Sequence, residues 1–83
     1  MKPGDLVTPY YVEGNAYFRL WNNHEDYSQL HTVDKFFMDE VGIVLKTVVR
    51  NEDDKTFVYV LSPQGIPGWI SETNLTLVSI QKP

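Results

Sequence analysis

The 83-residue sequence has no cysteine. That excludes disulfide staples and thiolate metal sites, and it leaves no mark of an oxidising compartment. It also lacks a long apolar run: Lys2, Asp5, Glu13 and Arg19 interrupt every candidate signal peptide or membrane span in the first twenty positions. The expectation is a soluble chain inside a cell, or one belonging to a particle assembled there. Positive charge is scarce and dispersed. Seven basic residues, Lys2, Arg19, Lys35, Lys46, Arg50, Lys55 and Lys82, stand against eleven acidic ones for a net charge of −4. Phosphate binding draws its free energy from clustered Lys and Arg, so nucleic acid is not the expected partner.

What the sequence does have is an ordinary globular composition, 42% hydrophobic and 22% charged, with a 13% aromatic share. Such a length allows one domain, 1–83, and a modest core, because a chain this short buries only about 60–65% of the surface its unfolded form exposes. Stability must come from packing or from association.

The hydrophobic pattern reads as β apart from one ambiguous stretch. Lys2-Pro3-Gly4-Asp5 is a turn before the short apolar run Leu6-Val7, and Pro9 ends that strand or confines it to an edge. Residues 11–39 are irregular and rich in aromatics, with Ala16–Trp21 as the strand of a hairpin within a long excursion. Leu30–Glu40 fits either a short helix or an extended lead into the next strand. Val41–Val49 and Thr56–Ser62 are β-branched runs flanking the charged turn Arg50–Lys55, which predicts a hairpin. Pro63–Gly68 is a second turn, leading to Trp69-Ile70-Ser71; a 3₁₀ turn over Ser71–Asn74 and a closing strand Leu75–Ile80 follow. Leu6, Val44, Val58, Val60, Ile70, Leu75 and Leu77 are the expected interior.

The order of these elements, with the motifs Gly42-Ile43-Val44-Leu45 and Gly68-Trp69-Ile70-Ser71-Glu72-Thr73-Asn74-Leu75, resembles the small SH3-like proteins encoded by tailed bacteriophages. The resemblance covers residues 3–10 and 41–80. It implies an all-β, five-stranded SH3-like barrel with a long first loop of the RT type and a 3₁₀ turn before the last strand. It also implies a virion or host-cytoplasm location. The proline-peptide-binding SH3 family keeps paired tryptophans where this chain has Thr56-Phe57-Val58, and Pro and Tyr where it has Ser71 and Asn74. Tyr10 and Tyr11 alone correspond to that family's loop aromatics. Gly-Asp-Leu-Val and Val-Gly-Ile-Val also resemble the KOW modules of transcription factors, the alternative reading. One basic face formed by Arg19, Lys35, Lys46 and Arg50 would favour it, and dispersed charge would count against it.

Chemistry-bearing groups are sparse. His24, Glu25, Asp26, His31 and Asp34 share one loop but lack a ligand-pair spacing. Asp39-Glu40 and Asp53-Asp54 are sequence neighbours, which an extended chain turns to opposite faces, and no serine sits in a nucleophile setting. Gly65 and Gly68 precede no helix and so make no phosphate loop. No catalytic, cofactor or metal site is expected. The functional expectation is a protein-binding module contacting another subunit, or a second copy of itself, through surplus aromatics: Tyr10, Tyr11, Tyr17, Trp21, Phe36, Phe37 and Trp69. Alternation allows only one of Phe36 and Phe37 into a core, and it assigns Ile70 inward and Trp69 outward.

Overall fold

The structure, a computed structural model, describes residues 1–22 and 32–78. Its framework is the hairpin of β4 (Gly42–Arg50) and β5 (Lys55–Leu61), extended by β6 (Pro67–Ser71) into an antiparallel meander. β-Branched residues fill these strands because their restricted χ1 suits a pleated surface. Asp54 closes the first turn with φ +56, a left-handed conformation that Asp tolerates, and Gly65 closes the second with φ +80. β1 (Leu6–Pro9) pairs with β4 through Leu6 and Val7, and with β7 (Leu75–Leu77) through Val7, Thr8 and Pro9. Pro9 sits where only β7 flanks the strand, so its missing N–H interrupts no β1–β4 bond.

The long first loop is itself β. β2 (Tyr17–Trp21) and β3 (Thr32–Phe37) form a hairpin that joins the sheet through the single pair Trp21↔Trp69. The sheet therefore has seven strands in the order β3-β2-β6-β5-β4-β1-β7, curled into an antiparallel half-barrel. This corrects the five-strand expectation. It also resolves residues 32–37 as strand: the buried Phe36 alternates with the outward Lys35 and Phe37, while Val33, at the irregularity opposite Leu20 and Trp21, packs against the core. The 3₁₀ turn is Glu72–Asn74, and the last strand is described to Leu77.

The concave face holds the core: Val7, Leu20, Phe36, Val44, Val58, Val60, Ile70 and Leu75. Two expected members are corrected. Leu6 pairs with Ile43 on the convex side, leaving Val7 as the β1 core residue, and Leu77 lies on the edge strand, half exposed. Closure depends on two glycines. A Cβ on Gly68 would stand 2.5 Å from Leu20 Cβ, and one on Gly42 would stand 2.5 Å from Val60 Cγ1 and 3.2 Å from Phe36 Cζ. At these two points the β2–β3 hairpin and its Phe36 ring press onto the sheet. Polar ties hold the hairpin in place: Ser62 Oγ, itself buried, donates to Asp34 Oδ2 at 2.8 Å, Thr8 Oγ1 to the Glu40 carbonyl at 2.7 Å, and Gln64 Nε2 to Glu40 Oε2 at 2.6 Å.

A bulge between Val44 and Lys46 changes the alternation of β4. Before it Val44 faces the core and Ile43 faces out; after it Lys46, opposite Tyr59, faces out.

Candidate protein-interaction site

Paired residues in an antiparallel ladder project to the same side, so the register defines the convex face. Lys46, Tyr59, Trp69 and Trp21 lie in one row across β4, β5, β6 and β2. Val48, Phe57 and Ser71 form the next row, and Arg50 and Lys55 the one after. On the other side of Trp21 the hairpin contributes Arg19 opposite Lys35 and Tyr17 opposite Phe37.

These side chains stack. The Tyr59 and Trp69 rings lie 4.9 Å apart at 41°, and Lys46 Nζ sits 5.1 Å from the first and 5.6 Å from the second. The Arg50 guanidinium lies 4.9 Å over Phe57, and Lys35 Nζ 4.8 Å over Tyr17, whose ring meets that of Phe37 at 5.5 Å. An ammonium or guanidinium over a ring face is attracted by the quadrupole, and its aliphatic stem covers apolar surface. Phe57, 1% exposed, and Trp69, 9% exposed, are thus buried outside the concave core.

Of the aromatics singled out in the sequence, Tyr17 and Trp21 are half-buried on this face and Phe37 is 41% exposed there. Tyr10 and Tyr11 are exposed on the loop after β1, tied to the 3₁₀ turn by the Tyr10 N–H on the Asn74 carbonyl at 2.7 Å. Two expectations are corrected. Phe36 has no exposed surface, because its position in β3 points it at Gly42, and so it offers nothing for docking. Trp69 faces outward as its alternation with Ile70 required, yet Tyr59 and Lys46 pack against it and leave little of it accessible.

A groove runs along this surface. One part, about 450 Å³, is lined by Asn15, Tyr17, Phe18, Arg19, Trp21 and Asn74. A second, about 280 Å³, shares Trp21 and Asn74 and continues to Phe57, Ser71, Arg50 and Lys55. Because β2 pairs with β6 only at Trp21, the β2 edge over Tyr17–Arg19 borders the groove opposite the 3₁₀ turn. Compared with known proteins, the chain matches no family model, no curated protein sequence and no solved structure.

The basic residues, dispersed in sequence, share one face of the sheet. Five of the seven, Arg19, Lys35, Lys46, Arg50 and Lys55, occupy the convex face of β2 to β6. The bulge in β4 hid this, since uninterrupted alternation would have put Lys46 on the side of Val44. Lys55, Phe57 and Tyr59 did carry the signal, as alternate residues of one strand. Asp53 clips the Arg50 end, accepting from Nε at 3.1 Å and from a terminal guanidinium nitrogen. That hydrogen bond, with lesser help from the Lys55 amide and both positive charges, holds the Asp53 carboxyl down at about 2.

Glu40 and Asp34 serve local structure. Glu40 accepts the Phe37 N–H at 2.9 Å, and Asp34 accepts from Ser62. His24, Glu25, Asp26 and His31 lie outside the described residues, and among the described residues no three His, Cys, Asp or Glu side chains converge. No helix of the described chain is long and apolar enough to cross a membrane.

Proposed function

We propose that this chain is a non-catalytic protein-binding module of the SH3-like kind, and that the groove between β2 and the 3₁₀ turn receives an extended segment of another protein. The carrying observation is the groove itself. A strand edge forms one wall, the 3₁₀ turn forms the other, and the half-buried Trp21 lies at its middle. Strand edges supply main-chain hydrogen bonds to extended peptides, and a partly exposed indole supplies the anchor. Tyr10 and Tyr11, held beside Asn74, extend the same surface.

Peptide-display selection on the protein, with counter-selection on Trp21→Ala, tests this reading. Enriched peptides are expected to lose binding to the variant, provided its unfolding transition is unchanged. Peptides that bind both forms equally sink it.

The likeness of residues 3–10 and 41–80 to phage SH3-like proteins supports a role as a small particle component or accessory contacting a neighbouring subunit, which includes a second copy of the chain. Detection of the chain in purified particles from its source tests that role, and absence from them returns it to the host cytoplasm. The placing of five cations on one face favours a second reading, a KOW-like factor at nucleic-acid machinery. Retention on single-stranded nucleic acid at physiological salt would select it.

A further inference from the structure

We propose that the groove is built for an acidic segment, its carboxylates meeting Arg19 and Lys35 at one end and Lys55 at the other, with an apolar side chain against Trp21 between them. This inference rests on the protein-binding reading above and gives its partner a chemistry.

The charge distribution is the first argument. Net charge is −4, yet neither part of the groove is lined by a carboxylate, whereas Arg19, Arg50 and Lys55 line it. Among the described strand residues the single carboxylate is Asp34, which pairs with Leu20 on the opposite face and accepts from Ser62. At physiological ionic strength charges beyond about 8 Å are screened. A short ligand in the groove therefore experiences the local cations more than the net charge of the molecule.

The second argument is a local conflict. Arg19 and Lys35 stand directly opposite one another across the β2–β3 ladder, and like charges so placed destabilise a sheet. A carboxylate bridging the two would remove that repulsion on binding.

The third argument separates an acidic polypeptide from a nucleic acid. Single strands are held by stacking bases on open aromatic faces. Here Lys46 lies over Tyr59 and Trp69, Arg50 over Phe57 and Lys35 over Tyr17, so the rings carry cations in the place where bases would lie. Asp53 already holds Arg50, and Asp54 and Glu72 flank Lys55 beyond the groove's end. A long polyanion leaving the groove there would meet these carboxylates, whereas a short segment stops before them.

The test is an NMR titration of the full chain with three probes: a Glu-rich peptide containing one Leu, its Gln counterpart, and an oligothymidylate strand. The Glu peptide is expected to shift the Trp21 indole and the amides of residues 17–21 and 71–74. Its affinity should fall with added salt, and fall about tenfold in Arg19→Gln/Lys35→Gln. With their repulsion gone, that double variant should melt no lower than the parent. Equal binding of the Gln peptide at the same residues overturns the acidic inference and leaves the groove reading intact. Tighter binding of the oligonucleotide overturns both. Shifts from neither peptide, with the fold intact, also overturn the acidic inference, and the display selection then decides the groove reading separately.

Discussion

Gly68→Ala adds one methyl group where the β2–β3 hairpin lies on β6. The new Cβ would stand 2.5 Å from Leu20 Cβ, 3.0 Å from Val33 Cγ2 and 3.3 Å from the Leu20 carbonyl carbon. Leu20 Cβ is attached to the backbone and cannot rotate away, so β2 must retreat by about 1 Å to restore an ordinary carbon contact. Overpacking of this kind costs about 1–3 kcal/mol. The unfolded chain loses freedom when Gly becomes Ala, which offsets about 0.4–1 kcal/mol. The net is a destabilisation of about 1–2 kcal/mol, or a fall in Tm of roughly 5–15 °C for a domain of this size. Hydrogen exchange locates the damage: amides of β2 and β3 should lose protection while β4 and β5 keep theirs. Because Trp21 rides on β2, groove ligands should weaken together with that loss. An unchanged Tm with full protection in β2 would refute the claim that the hairpin is pressed onto Gly68.

The two adjacent phenylalanines give a sharper contrast. Phe36→Ala should cost about 3–5 kcal/mol, because the ring is fully buried over Gly42, and Phe37→Ala less than about 1 kcal/mol in paired urea melts, because its ring is exposed. Ser62→Ala leaves a half-buried Asp34 without its donor and should cost about 1–3 kcal/mol by the same assay. Asp53 has its carboxyl pKa lowered from 3.8 to about 2 by Arg50. A depressed pKa contributes stability that is complete above the unfolded value and lost as pH falls through the folded one. The Arg50 clip should therefore persist from neutral pH to about pH 4 and open towards pH 2. Carboxyl titration by NMR checks this, and Arg50→Gln should return Asp53 to its ordinary range.

The strands of the second half were legible because residues 41–80 carry β-branched runs separated by turns of charge, proline and glycine. Asp54 and Gly65, with positive φ, stand in those turns. The hairpin of the first half was half legible. Tyr17–Trp21 announced a strand, but Thr32–Phe37 mixes Asp and Lys with its apolar residues, and local pattern could not choose helix or strand without knowing that Phe36 had Gly42 to cover. Neighbour alternation separated Phe36 from Phe37 correctly in number, not in identity. Trp69 shows the limit of equating outward with exposed, since Tyr59 and Lys46 shield an outward ring. The clustering of cations was invisible because it depends on which strands neighbour one another, β2 beside β6 above all, and on an irregularity in β4 that no single residue type marks.

That irregularity has an evolutionary reading. Leu45 is the extra residue: losing its codon would restore strict alternation and leave Lys46, Val48 and Arg50 on the side they now occupy, whereas pairing it into the ladder would turn all three to the side that carries Val44. The bulge thus absorbs a one-residue change of length without exchanging side chains between the two faces. Among descendants of this chain, β4 would be expected to vary in length at Leu45 while the outward row Lys46, Val48 and Arg50 keeps its side.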